Sequence, residues 1–331
     1  MFAFVLCVLI LYAISLSKKD MNAITKDDTA VLKSIMAILI ILHHISLQGV
    51  AVLTVFHSWG APLVSIFFFL SGYGLIKSFS VKGNAYLKNF IVHRIIKGVL
   101  VPFVVAWGIF RLIYFSNLPS IGEELELLIY RGIPVLPHSW FVFAIICFYI
   151  FFYVSNRFFA RSFSFIVLIL LVLLYCLFCI QSNYDRCWYI SALGFPTGVF
   201  IGKYEKNMVR IISNQCIYYL VAPLCLLMMA VCVVAKIEIL YMLVYILIPF
   251  VFATFLYKIN FGRLMSSKFL KFLTAISFEM YLSQGISMSI LRGNVFNLTS
   301  DIIYILCTLV LTVLIAVFIR FIRFGCFKYL S

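Results

Sequence analysis

The sequence has few charged residues. Aspartate, glutamate, lysine and arginine make up 11% of its 331 residues, and only 11 residues are acidic against 26 that are basic. The polar connections between apolar segments are all short, which excludes a separate soluble domain. The apolar segments also lack the alternation of apolar and polar residues that transmembrane β-strands require, as the run LVYILIPFVFATF at residues 243–255 illustrates. A β-barrel is therefore excluded as well.

Three kinds of site lack a sequence signature. Most of the ten cysteines lie inside apolar segments, where a free thiol behaves as a small hydrophobic group, so no disulfide framework is predicted. The net charge of +15 is spread over several short connections without a nucleic-acid motif, and we expect no nucleic acid as a partner. We predict no metal site, because adjacent histidines on a helix point in different directions and cannot easily ligate one ion.

Apolar sequence, in contrast, is abundant. Hydrophobic residues make up 65% of the chain and the mean hydropathy is +1.15, as is typical of an integral membrane protein. Apolar runs of roughly 20 residues, the length that crosses a bilayer, recur throughout. They predict a single domain over residues 1–331 and an all-α fold, a polytopic transmembrane helical bundle of about 10–11 helices. The predicted spans are residues 2–17, 32–56, 61–79, 95–116, 138–157, 162–181, 188–203, 210–234, 237–257, 271–291 and 301–320.

The basic residues predict the orientation of these spans. Twenty-one of the 26 fall in one set of alternate connections and in the C-terminal tail, and only Arg111, Arg131, Arg186, Lys236 and Arg292 fall on the other side. Basic residues collect on the cytoplasmic side of membrane proteins, which predicts an external N-terminus and a cytoplasmic C-terminus. The first span, residues 2–17, lacks the basic segment of a signal peptide, so we expect it to be retained. The longest outer connection, residues 117–137, is interpreted as a solvated connector or a lid.

The stretch IILHHISLQG at residues 40–49 places two histidines in an apolar helix. Lys33 and His44 are eleven residues apart, so they share one helix face and are separated by about 16 Å along the axis. This spacing predicts Lys33 near the inner surface and His44 near mid-membrane, with His43 pointing about 80° away. The other histidines, His57, His93 and His138, lie near the ends of spans, so we expect no second histidine at the depth of His44.

A series of short motifs carries a family resemblance. They are Lys33 with His44 in LKSIMAILIILHH, Ser71-Gly72-Tyr73 in FFFLSGYGLIKSF, Arg94, Lys97 and Pro102 in FIVHRIIKGVLVP, Trp140-Phe141 and Tyr149 in SWFVFAIICFY, FPTG at 195–198, and Ser277 and Tyr281 in ISFEMYL. In this order the motifs resemble those of the membrane-bound acyltransferase 3 family, whose core would cover residues 32–320. Two positions depart from the family's pattern, because Lys33 replaces a common arginine and Ser283-Gln284 replaces a frequent histidine.

The resemblance implies an O-acyltransferase, most simply an O-acetyltransferase of the bacterial cytoplasmic membrane. It would use acetyl-CoA as a co-substrate, with no permanently bound cofactor, and a glycan or lipid-linked glycan as acceptor, in contact with membrane lipids. We interpret His44 as the general base and His43 as a group that orients it, lines the site or only packs. Coenzyme A is expected to contact Lys33, Arg94 and Lys97. Further site-lining candidates are Ser71, Tyr73, Trp140, Tyr149, Ser277, Glu279, Tyr281 and Gln284.

Two alternatives remain open from sequence. A transporter or flippase for a lipid-linked saccharide would also need many helices and buried polar residues. A haem protein could use one of the two histidines in the apolar helix as an axial ligand. The residues Ser277, Tyr281 and Gln284 recur at i, i+4 and i+7 on a late helix, which predicts a polar stripe that lines a cavity or joins helices by hydrogen bonds.

Overall fold

A computed structural model describes residues 2–16, 24–114, 118–214, 217–220, 223–224, 227–228, 230–231, 238–293 and 295–328. Within these ranges β structure is limited to one bridge, between Arg292 and Asn297. The helices are α1 (Phe2–Leu16), α2 (Lys26–Ser46), α3 (Gly60–Lys82), α4 (Asn84–Lys88), α5 (Val101–Ile113), α6 (Ile121–Arg131), α7 (Trp140–Phe158), α8 (Ser164–Gln181), α9 (Gly194–Lys203), α10 (Glu205–Ser213), α11 (Glu238–Lys258), α12 (Lys268–Leu291) and α13 (Asp301–Lys328).

Seven helical segments among the described residues are long and apolar enough to cross a membrane. They are Lys26–Ser46, Gly60–Lys82, Ile91–Ile113, Trp140–Phe158, Ser164–Gln181, Leu240–Lys258 and Asp301–Gly325. The predicted all-α polytopic bundle is therefore confirmed, and the chain is a multi-pass membrane protein. Helix α12 has 24 residues as well, but polar residues are distributed along it, among them Lys268, Lys271, Glu279 and Gln284.

Several predicted boundaries were wrong. Helix α2 ends at Ser46 instead of continuing to residue 56, because the chain turns at Gly49, where φ is 78°, and then forms a short 3-10 helix, Ala51–Phe56. The predicted span 188–203 contains the ten-residue helix α9, preceded by a 3-10 turn at Arg186–Trp188. A helix of ten residues is only about 15 Å long and cannot cross a bilayer alone.

Two further regions contain helical structure that the sequence did not predict. The outer segment 117–137 contains helix α6, whose start is fixed by a capping box between Ser120 and Glu123. The predicted span 95–116 begins earlier, since a π-helix, Ile91–Leu100, runs directly into α5. Ten of the 25 residues of the predicted span 210–234 lie outside the described residues.

The packing of α3 against α9 forms the centre of the bundle. A Cβ atom on Gly72 of α3 would clash with the carbonyl oxygen of Phe195, and one on Gly198 of α9 would clash with that of Phe69. The two helices thus approach at backbone distance, as small residues permit in membrane helices. The Ser-Gly-Tyr and Phe-Pro-x-Gly motifs therefore meet in space, and their glycines serve helix packing.

Candidate active site

His44 lies in the last turn of α2, two residues before the helix ends. The shorter helix places it near one end of α2, and Lys33 lies toward the other end. These two ends of the bundle are called the His44 end and the Lys33 end below. The Nδ1 atom of His44 is buried and has no hydrogen-bond partner among the described residues.

His138 is the functional candidate that the sequence reasoning missed. Its ring stacks on that of His44, with the ring centroids 4.0 Å apart and the ring planes 15° from parallel. The expectation that no other histidine reaches His44 is therefore wrong. The connection before α7 folds back into the bundle, where Leu136 is fully buried. A residue near the end of a predicted span can therefore still lie inside the bundle. A weak signal was available, because His138 directly precedes the Ser-Trp-Phe motif.

His138 lies outside the spanning segments, and its protonation follows from its burial. Removal from water lowers the pKa of His138 from 6.5 to about 4, and the nearby His43 adds to the effect. Its ring is therefore neutral near pH 7. A neutral ring can stack on His44 without charge repulsion, whether or not His44 carries a proton.

A cavity of about 470 Å³ opens beside the stacked histidines at the His44 end. Its walls combine imidazole, indole and charged groups with apolar side chains. The polar and aromatic residues that line it are His43, His44, Arg131, His138, Trp140, Asp185, Trp188, Ser191 and Tyr281. The C-terminal end of α6 covers part of it, and the Trp188 indole donates a hydrogen bond of 2.9 Å to the Gly132 carbonyl. Helix α6 therefore closes one side of the cavity.

His43 makes a structural contact at this end. Its Nδ1 lies 3.0 Å from the carbonyl oxygen of Phe56, so Nδ1–H donates to the 3-10 turn that follows α2. The Nε2 side of the ring packs on Gly60, where a Cβ atom would clash with it. His43 thus joins the end of α2 to the start of α3, while its ring edge still reaches the cavity.

A second cavity, of about 200 Å³, lies toward the Lys33 end. Its polar lining residues are Lys33, Ser71, Tyr149, Ser277 and Tyr281, and no carboxylate is among the described residues that line it. Ser71 and Tyr149 share a hydrogen bond. The polar stripe predicted on α12 therefore faces this cavity through Ser277 and Tyr281.

Positive charge is concentrated at the second cavity. Arg94 lies close enough to Lys33 for the two charges to repel, and its Nε donates to the Tyr86 hydroxyl at 2.9 Å. Two cations near each other without a lining carboxylate form a site suited to an anion with several charges. Lys97 lies one turn beyond Arg94 on the same π-helix, next to Gly98 and Val99 of the cavity wall.

The two cavities adjoin. Ile40, Val64 and Tyr281 line both of them. The shared residues lie between the cationic groups at one end and the stacked histidines at the other. Two molecules that entered from opposite ends would therefore meet next to His44.

Comparison with known protein families gives one result. A family model for an acyltransferase domain matches residues 29–321. The chain belongs to the acyltransferase 3 family. No curated protein and no solved structure matches it.

Three of the predicted lining residues of this acyltransferase are not part of the lining of either cavity: Tyr73, Glu279 and Gln284. The Tyr73 hydroxyl donates to Glu205 at 2.6 Å, and Lys77 pairs with the same carboxylate. Glu279 pairs with Arg323 at 2.7 Å and joins α12 to α13. Tyr73 was expected at the site from the family resemblance and Glu279 as a buried carboxylate, but each faces a neighbouring helix, where its polar group finds a partner.

The remaining candidate of the acyltransferase, Gln284, lies at the histidine pair. Its amide is fully buried and close to the His44 imidazole, yet neither amide atom forms a hydrogen bond of normal geometry with a described residue. A buried amide without a partner costs free energy. Gln284 thus supplies polar groups beside His44 that a bound substrate or a rotated imidazole can satisfy.

Proposed function

We propose that this membrane acyltransferase moves an acetyl group from cytoplasmic acetyl-CoA to a sugar hydroxyl of a cell-surface polysaccharide or of its lipid-linked precursor. The observation that carries the proposal is the junction of two chemically different cavities at Ile40, Val64 and Tyr281. One cavity suits a polyanionic donor, and the other suits a polar acceptor. The only imidazoles among the described lining residues belong to the acceptor side.

The donor fits the Lys33 end by charge. Coenzyme A carries its phosphates at one end and its thioester at the other, joined by a flexible pantetheine arm. Lys33 and Arg94 would hold phosphates, with Lys97 nearby, and the arm would extend along the apolar walls of the cavity. The thioester would then arrive at the junction. Acetyl fits this arrangement as a small, uncharged acyl group, and succinyl-CoA is the competitor to compare in the same assay.

The acceptor fits the His44 end by shape and polarity. Trp140 and Trp188 offer flat apolar faces of the kind on which the C–H face of a sugar ring packs. Asp185 and Arg131 provide an acceptor and donors for hydroxyl groups at the same wall. A cavity that mixes aromatic surface with a few polar groups is typical of a small-molecule site.

The chemistry requires one base at the junction. His44 would accept the proton of the acceptor hydroxyl while the oxygen attacks the thioester carbonyl carbon. The carbon–sulfur bond then breaks, and the proton passes from His44 to the departing thiolate. His44 is thus regenerated, and the products are the ester and free coenzyme A.

We further propose that the Lys33 end faces the cytoplasm of a bacterial cell, with the N-terminus outside and the C-terminus inside. The distribution of the 26 basic residues supports this orientation. Accessibility of single introduced cysteines to an impermeant thiol reagent tests it, with labelling of position 120 from outside and of position 82 only in opened vesicles. The reverse pattern would overturn it.

The function is tested with His44→Ala in purified protein supplied with labelled acetyl-CoA and membranes that contain the glycan. We expect transfer of label to fall by at least about 100-fold, as loss of a general base does. His93→Ala, at an exposed position, is the control and should retain activity. Full activity of His44→Ala contradicts its role. Movement of a lipid-linked saccharide between leaflets without acetyl transfer would favour the flippase alternative.

A further inference from the structure

The connection that carries His138 is held in an unusual backbone conformation. His138 has a φ of 64°, in the left-handed region that residues other than glycine adopt uncommonly, although asparagine, aspartate and histidine do so more often than the rest. Such a conformation costs about 1 kcal/mol or more and persists only where the surroundings impose it. The contacts that impose it here come from α12.

Helix α12 contacts this connection at two successive turns. The Tyr281 hydroxyl donates a hydrogen bond to the carbonyl oxygen of His138. One turn further, Gly285 packs so closely on Pro137 that a Cβ atom would clash with the Pro137 carbonyl. The two contacts fix the backbone of residues 137 and 138 against α12.

The fixed backbone determines where the His138 ring lies. The ring is parallel to that of His44 within 15° and 4.0 Å away, while His44 Nδ1 makes no hydrogen bond to a described residue. Because Nδ1 makes no such bond, the orientation of the His44 imidazole depends on the groups packed around it, which include the buried Gln284 amide. The stacked ring of His138 is the contact that packs on the face of the imidazole.

We propose that Tyr281 and His138 form a positioning unit for His44: the Tyr281 hydroxyl fixes the backbone of His138, and the His138 ring orients the His44 imidazole by stacking on it. This inference rests on the proposed role of His44. His138 is a positioning residue in this account and does not itself take the substrate proton. Tyr281 lies at the junction of the two cavities, so the same residue that fixes the base also borders the path of the acyl group.

Four variants distinguish the contribution of the His138 ring from that of the hydrogen bond between Tyr281 and the His138 backbone. His138→Asn keeps a residue that tolerates positive φ but removes the ring, whereas His138→Phe keeps an aromatic ring at the cost of backbone strain. Tyr281→Phe removes only the hydroxyl. Tyr257→Phe is the matched control, because the buried Tyr257 hydroxyl has no hydrogen-bond partner among the described residues.

The first readout does not need activity. Diethyl pyrocarbonate modifies unprotonated imidazoles, and peptide mass spectrometry reports the rate at each histidine of the folded protein. We expect His138→Asn and Tyr281→Phe to raise the rate at His44 several-fold, and His138→Phe and Tyr257→Phe to leave it near the wild-type rate. The exposed His93 is the internal reference. An unchanged rate at His44 in both of the first two variants overturns the positioning unit.

The second readout is the kinetics of acetyl transfer. We expect His138→Asn and Tyr281→Phe to lower kcat by about 10-fold or more with little change in KM for acetyl-CoA, as misplacement of a catalytic group does. His138→Phe should recover part of kcat. If His138→Phe is as inactive as His44→Ala while the protein stays folded, His138 transfers a proton and the positioning role is wrong. If the wild type transfers no acetyl group, the proposed function fails, and the labelling rates still decide the inference.

Discussion

His43 and His44 are adjacent in sequence but make different contacts. His43 donates from Nδ1 to the Phe56 carbonyl, whereas Nδ1 of His44 has no partner among the described residues and its ring stacks on His138. The predicted angle between the two side chains explains why one reaches the turn after α2 and the other reaches the loop before α7. At the residue scale, the direction in which each side chain leaves α2 distinguishes the structural histidine, His43, from the candidate base, His44.

Replacement of His43 tests its structural contact. His43→Ala leaves the Phe56 carbonyl without a donor and should lower the free energy of unfolding by about 1–3 kcal/mol. His43→Asn should recover much of this loss, because its amide NH₂ occupies nearly the position of Nδ1–H. The measurement is the thermal unfolding midpoint in detergent, with His93→Ala as the exposed control. Equal midpoints for His43→Ala and the wild type would contradict the contact.

At the scale of secondary-structure elements, the contact between α3 and α9 depends on two glycines, Gly72 and Gly198. The motif around Gly72 suggested Ser71 and Tyr73 as site residues, but Gly72 and Gly198 both lie where one helix meets the backbone of the other. Tyr73, which follows Gly72, turns to Glu205 on α10. The motifs therefore hold the scaffold in the arrangement that brings Ser71 to the donor cavity.

Alanine substitutions on α3 test this packing. Gly72→Ala should destabilise the protein by about 1–3 kcal/mol or more, since the added methyl group meets the Phe195 carbonyl and the helices must separate. Gly74→Ala is the matched control on the same helix, where nothing lies within 4 Å of the added atom. It should be neutral or stabilising by up to about 1 kcal/mol. The same loss in both variants would contradict close packing at Gly72 as its cause.

At the scale of the whole molecule, two cavities that lie toward opposite ends of the bundle meet beside His44 and His138. The donor cavity takes its lining from α2, α3, α7 and α12 and from the π-helix at residues 91–100. The acceptor cavity takes its lining from α2, α3, α6, α7 and α12 and from the connections that follow α2, α6 and α8. Helices α2 and α12 contribute to both, so they connect the cationic end with the histidine end.

A truncated donor tests which end binds the phosphates. Lys33→Gln should raise KM for acetyl-CoA by about 10- to 100-fold, because a hydrogen bond between charged groups contributes about 1.5–3 kcal/mol. With acetyl-pantetheine, which lacks the phosphates, Lys33→Gln and the wild type should have equal KM values. Lys82→Gln, an exposed cation at the end of α3, is the control. A KM increase of the same size with both donors would exclude phosphate binding by Lys33.

The sequence by itself determined the membrane class, the helical bundle and most of its long helices. It could do so because continuous apolar runs specify a transmembrane helix locally, as in α7 and α8, which lie within a few residues of the predicted spans. The shared face of Lys33 and His44 is also a local property, fixed by helical periodicity.

Tertiary structure alone decided the inward fold of the connection with His138 and the partners of Tyr73 and Glu279. Each depends on residues distant in sequence: Gly285 and Tyr281 pack on residues 137 and 138, Glu205 reaches Tyr73, and Arg323 reaches Glu279. Periodicity gives the direction of a side chain on its own helix, but not which helix lies opposite. For that reason the stacked histidine pair became visible only when the bundle was assembled.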